Sequence, residues 1–174
     1  MTSKKVLIII LAEKDKILDK EISMSNDEKF MNLAFEEAKK ALNKKEVPIG
    51  AVVIKDGEVI GRGYNLKEEA QDPTAHAEMI AIREAAENIG SWRLENCEIY
   101  VTLEPCPMCV GAMLQARIDR LVFAAYDKNG GAVGSLYDLS DDNRLNHTIK
   151  VRSGFMAEKS SKMLKNFFKS LREK

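Results

Sequence analysis

The sequence predicts one α/β domain, a mixed sheet of about five strands with helices on both faces. Three observations carry this reading. Segments with apolar residues at helical spacing alternate with short β-branched and aromatic runs. An Asp-Gly pair joins two of those runs as a hairpin. Finally, 174 residues with 45% hydrophobic content suffice for one proper core and leave a second one cramped.

The first helix opens at Ser25-Asn26-Asp27-Glu28, an N-cap serine followed three residues on by glutamate. Phe30, Met31, Ala34, Phe35, Ala38, Ala41 and Leu42 then share one face. Ile49–Ile54 and Glu58–Arg62 flank Lys55-Asp56-Gly57, a strong hairpin signal. Asn65 closes the hairpin, and a polar loop runs to Pro73. Asp72-Pro73 reads as N-cap and first residue of a second helix, whose apolar positions Ile80, Ala81 and Ala85 continue to about Asn88. Glu98–Leu103 is β-branched and aromatic, a central strand. Cys106–Arg117 reads as a third helix, Arg120–Ala125 as a strand, and Gly130, Gly131 and Gly134 as a loop. His147–Arg152 alternates as a strand does, and Phe155–Arg172 closes the chain as a helix. No internal repeat or low-complexity linker interrupts this order.

Residues 1–24 stand apart from it. Lys4-Lys5 and the apolar run Val6–Ala12 look briefly like a signal peptide, but the run is far too short to span a membrane. Charged Glu13-Lys14-Asp15-Lys16 follows with no small-residue cleavage site. The expectation is an extension outside the catalytic core, with residues 25–174 as the domain. Lys+Arg and Asp+Glu both count 27, so global charge neither demands nor excludes nucleic acid. The three cysteines argue against a disulfide framework, because two lie three residues apart and one is left over. Cys97, between strand-like apolar residues, is expected as a buried thiol without chemistry, and the usage fits a reducing cytoplasm.

The chemistry concentrates in Asp72-Pro73-Thr74-Ala75-His76-Ala77-Glu78 and Thr102-Leu103-Glu104-Pro105-Cys106-Pro107-Met108-Cys109. One imidazole and two thiolates suit zinc. His147, the only other histidine, lies far along the chain, so no fourth ligand is near to close the site. An open position is left to water, which zinc acidifies, and Glu78 lies two residues from His76, placed to carry protons. Cys106 and Cys109 at i and i+3 face one side of a helix start, whose positive end favours thiolates. A redox pair or a structural zinc knuckle would explain the cysteines alone, but neither accounts for His-Ala-Glu opening the previous helix.

The His-x-Glu and Pro-Cys-x-x-Cys pattern resembles the zinc-dependent cytidine/deoxycytidylate deaminase superfamily, whose fold is a three-layer αβα arrangement. That resemblance implies one zinc per chain and the hydrolytic deamination known for such enzymes, tRNA adenosine deaminases included, with Glu78 as the proton carrier. Further blocks resemble the bacterial tRNA-specific adenosine deaminases: Glu46–Val52, Gly63-Tyr64-Asn65, Trp92-Arg93-Leu94, and Asn166-Phe167-Phe168 with Arg172. The likeness implies adenosine-to-inosine conversion at the wobble position of a tRNA anticodon, an arginine tRNA by expectation. It also implies that Asn65 and the Ala77 backbone hold the flipped base beside a wall of Pro48 and Ile49. Asp127, Phe168 and Arg172 would touch the anticodon stem-loop. Lys159, Lys162, Lys165, Lys169, Arg172 and Lys174 would add positive surface beside the site. A homodimer is implied too, with the Met108–Met113 helix and the Gly-rich loop as its interface. Two departures stand out: Tyr126-Asp127-Lys128-Asn129 carries its lysine one place earlier than the family does, and residues 1–24 have no counterpart in it. The rival readings are a deaminase of a free nucleobase or nucleotide (cytosine, guanine or deoxycytidylate) and a non-catalytic zinc module that binds nucleic acid. An inert Phe-Phe basic helix would favour the first, and an idle Glu78 the second.

Overall fold

A computed structural model describes residues 25–173, so the N-terminal extension lies outside the described residues. Helix α1 spans Asn26–Asn43, strands β1 and β2 Gly50–Lys55 and Glu58–Tyr64, and a short α2 Lys67–Ala70. Then come α3 (Ala77–Ile89), β3 (Cys97–Leu103), α4 (Pro107–Ala116), β4 (Arg120–Ala125), β5 (Lys150–Arg152) and α5 (Ala157–Arg172). The sheet order is β2-β1-β3-β4-β5. β1 runs antiparallel to β2 and β3, whereas β3-β4 and β4-β5 are parallel, which is the mixed sheet expected. Among the described residues, no helix is long and apolar enough to cross a membrane.

The period-two alternation of the strands sorts the core into two layers. Val52, Ile54, Tyr100, Val122 and Ala124 face α1, where Phe30, Met31, Ala34 and Phe35 meet them, and Met163 of α5 packs on the same cluster. Ala51, Val53, Ile99, Val101, Leu121 and Phe123 face the other way, against Ala77, Ala81 and Ala85 of α3 and Cys109, Val110 and Met113 of α4. The expected αβα layering follows. Small residues bring α3 close: a Cβ on Gly63 would sit 2.1 Å from the carbonyl oxygen of Ala77. Only glycine lets β2 and the start of α3 touch there.

Local signals hold at most boundaries. Ser25 Oγ accepts from the Glu28 N–H at 3.2 Å, a cap that contributes about 1 kcal/mol to helix stability. Asp56 and Gly57 both take positive φ, 51° and 80°, as a tight hairpin turn requires. Cys97 is buried in β3, as expected. Leu42, expected on the apolar face of α1, is 40% exposed at the helix end. Three boundaries move. The second predicted helix does not start at Pro73, because Asp72 Oδ1 accepts both the N–H and the hydroxyl of Thr74 at 2.7 Å in a turn of its own. The helix begins at Ala77 instead, and α2 occupies part of the predicted polar loop. β5 begins at Lys150 rather than His147, whose ring nitrogen is engaged with the Ile118 carbonyl at 2.8 Å. α5 begins at Ala157, two residues after Phe155, because Met156 takes the left-handed conformation, φ 60°.

Candidate active site

The site lies beyond the C-terminal ends of the parallel strands β3 and β4, where open α/β sheets place their ligands. β3 ends at Leu103, and Glu104-Pro105 leads into α4, with Cys106 as N-cap and Pro107 as the first helical residue. His76 is the N-cap of α3. Both helices pack on one face of the sheet, so their starts converge. Cys106 and Cys109 Sγ stand 3.6 Å apart, and His76 Nδ1 is 3.7 Å from the first and 3.6 Å from the second. Tetrahedral zinc, with Zn–S near 2.3 Å and Zn–N near 2.0–2.1 Å, sets such donors about 3.5–3.8 Å apart. The three donors therefore fit that ion, and they are the only group of this kind among the described residues. His147, committed to a backbone carbonyl, contributes nothing here.

The electrostatics suit the same ion. Cys106 is held down to about 4, chiefly by its hydrogen bond with Cys109 and, against the effect of burial, by His76. Cys109 is held up, first by that same bond and then by burial. A dication held between the two sulfurs and the imidazole would take both sulfurs as thiolates. His76 is raised by its contact with Cys106, opposed by burial. Glu78, only 4% exposed, is pushed above the ordinary carboxylate range by burial. His76 pulls it back in part. A carboxyl raised in this way holds a proton more firmly than an ordinary one, which suits a group that must both take and give protons.

These groups surround a cavity of about 180 Å³ lined by Glu46, Val47, Ile49, Asn65, Lys67, Glu68, His76, Ala77, Glu78, Leu103, Glu104, Cys106 and Asp127. Sites for drug-sized ligands run from roughly 300 Å³ upward, so this one suits a single heterocycle. Of the predicted residues, Ile49, Asn65, His76, Ala77, Glu78, Cys106 and Asp127 meet in its wall, with Cys109 buried beneath. Pro48 is buried and is not part of the wall, where Val47 stands instead. Phe168 and Arg172 belong to α5 and do not line the cavity either. Phe167 is core, 6% exposed, while Phe168 is 46% exposed. The expected lysine surface thins as well, because Lys159 folds back onto Asn32 at 2.6 Å and over the Phe35 ring.

Two buried carboxylates of the wall, Glu46 and Glu104, are not among the residues singled out from sequence. Glu46, 2% exposed, accepts from the Asn65 amide nitrogen at 3.0 Å and from the Glu69 N–H at 2.7 Å. It therefore fixes which way the Asn65 amide points, leaving the Asn65 carbonyl oxygen available to the cavity. Ala77, first residue of α3, carries an N–H with no intrahelical acceptor, as every helix start does. The sole sequence signal for Glu46 and Glu104 was their position inside the matching blocks.

A model of the cytidine and deoxycytidylate deaminase zinc-binding region matches residues 24–125, more than half of the chain. The tRNA-specific adenosine deaminase of Bacillus subtilis (strain 168) is 50% identical over 151 residues, 87% of this chain and 94% of that protein. Its counterpart in Haemophilus influenzae is 51% identical over 148 residues, 84% of this chain and 86% of that protein. A solved structure from work on A-to-I editing by tRNA:A34 deaminases at the wobble position superposes with a TM-score of 0.75 at 46% identity. That match covers 78% of this chain and 98% of the other.

Proposed function

We propose, from the premise that the chain belongs to the cytidine and deoxycytidylate deaminase zinc-binding family beside the tRNA-specific adenosine deaminases, that it deaminates adenosine to inosine at the wobble position of a tRNA anticodon. One observation carries the chemistry: the buried Glu78 shares a single-heterocycle cavity with the His76, Cys106 and Cys109 donors. His76, Cys106 and Cys109 would hold a zinc ion, which would acidify a water as the nucleophile. The water oxygen bonds to the amino-bearing carbon of the ring, and the carbon–nitrogen bond breaks to release ammonia. Glu78 takes a proton from the water and passes it to the ring nitrogen. It then carries the second proton to the departing amine. Asn65, held by Glu46, and the Ala77 N–H orient the base, while Val47 and Ile49 form its apolar wall.

The cavity admits a base and little else, so the nucleotide must leave the stack to reach it. Asp127 stands at the rim, and Phe168 and Arg172 of α5 offer stacking and charge to the stem-loop outside it. Leu136 and Tyr137 of the Gly-rich loop, 52% and 59% exposed, together with Met108 of α4, form a homodimer contact, whereas Met113 belongs to the core. The protein acts in the cytoplasm on an arginine tRNA, and residues 25–174 suffice for activity. The test is inosine mapping after incubation with total tRNA and with the arginine anticodon stem-loop. One inosine at the wobble position is expected. Turnover of free guanine or cytosine with the RNA unchanged would overturn the reading.

A further inference from the structure

Glu104 is a buried acid of the cavity wall, 3% exposed, that takes no part in the proton transfers described. It sits between the end of β3 and the ligand Cys106, and both its oxygens are occupied by one loop. Oε2 accepts from the Asp127 N–H at 3.0 Å and from the Ser135 hydroxyl. Oε1 accepts from the N–H groups of Val133 and Ser135 at 3.1 and 3.0 Å. The loop closes on this side chain so tightly that a Cβ on Gly131 would lie 2.2 Å from the carboxyl carbon. The backbone adds bonds within the loop, Gly131 N to Asp127 O at 2.9 Å and Gly134 N to Tyr137 O at 2.8 Å, and one tie back to the start of α4, Ala132 N to Pro105 O at 2.9 Å. Residues 127–135 form no regular strand or helix, and beside these bonds one buried carboxylate gathers three of their N–H groups, those of Asp127, Val133 and Ser135.

We propose that Glu104 is a positioning residue for the RNA. Its carboxylate holds the 127–135 loop, and with it Asp127, against the cavity mouth before substrate arrives. A wall built in advance spares the complex the ordering cost of a free loop, so the effect falls on binding rather than on bond breaking. The inference rests on the reading that the substrate is an anticodon stem-loop. A side chain that merely stabilised the fold would change the melting temperature and leave the Michaelis constant alone.

Glu104→Gln keeps the size and one acceptor oxygen but turns an amide N–H toward a backbone N–H. Its KM for the stem-loop is expected to rise about tenfold, with kcat within about twofold. Zinc content stays at one ion per chain. In an Asp127→Ala background the same change should add no more than about twofold to KM, because the residue it positions is gone. Ser135→Ala, which removes only a hydroxyl donor and keeps every backbone bond, should raise KM about threefold and serves if Glu104→Gln fails to fold. Amide exchange gives a reading free of RNA: Asp127, Val133 and Ser135 should exchange faster in Glu104→Gln while β3 and β4 stay protected. Unchanged KM, an equal effect in both backgrounds, or zinc and kcat falling together would overturn the inference. A wild type inert on the stem-loop overturns the function itself, and exchange at wild-type rates in Glu104→Gln overturns the positioning alone.

Discussion

The two ends of the sheet both bury acids, and they treat them in opposite ways. At the end away from the cavity, Asp27 lies 2.8 and 2.7 Å from the two terminal nitrogens of Arg120 and 2.7 Å from the Tyr100 hydroxyl, with Arg152 also bonded. Glu98 meets the same Arg120 at 2.6 Å. The Arg120 hydrogen bond, more than any other contact, holds the Asp27 carboxyl well below the ordinary carboxylate range despite burial. At the cavity end, Glu78 has thiols and an imidazole for neighbours, and burial raises it. A buried acid surrounded by cations is locked as an anion and serves stability. Glu78 has no guanidinium against it, so burial is not overcome as it is at Asp27, and its carboxyl faces the cavity instead of an ion-pair network.

That contrast can be broken at either end. The largest effect belongs to the metal: Cys109→Ala, or chelation of zinc from the intact protein, should abolish deamination, and added zinc should restore it only where Cys109 is present. Metal analysis and ammonia release read both. Next comes the far end. Arg120→Ala leaves Asp27 short of its main partner and should cost about 2 kcal/mol. The figure lies below the ~3–5 kcal/mol of a fully buried pair because the Arg120 side chain is 30% exposed. Denaturant unfolding measures it, and activity per folded molecule should not change.

The pH dependence of stability sharpens the same point. The folded pKa of Asp27 is depressed, so its stabilising contribution is complete above its unfolded value, near ~3.9, and is lost as pH falls through the folded one. Melting temperature should therefore drop as the medium is acidified below about pH 4. Asp27→Asn should melt lower at neutral pH and flatten that part of the curve. The smallest expected effect is at Phe168, exposed on α5. Phe168→Ala should change stability by less than about 0.5 kcal/mol and raise KM for the stem-loop a few fold.

How much of this was legible in sequence follows from the range of each interaction. The meeting of the His76, Cys106 and Cys109 donors, with Glu78 beside them, was, because i, i+3 spacing and His-x-Glu encode geometry within one turn. So were the Ser25 cap and the Asp56-Gly57 turn, which act over three or four residues. The start of α3 was not. Asp72 offers the same carboxylate to a turn that it would offer to a helix, and only the approach of β2 and α3 at Gly63 and Ala77 separates the two. Glu46 and Glu104 were invisible as individuals because their partners lie 19 to 31 residues away. The separation of Phe167 from Phe168 likewise depends on where α5 lands on the sheet.

The central claim is that Glu78 moves the protons of a deamination on RNA. It is tested most directly by ammonia release from the anticodon stem-loop with wild type and Glu78→Ala side by side, zinc content measured in both. The expected result is a loss on the order of 10³-fold or more in Glu78→Ala. Zinc should remain at one ion per chain. Deamination by zinc-replete Glu78→Ala at the wild-type rate would contradict it.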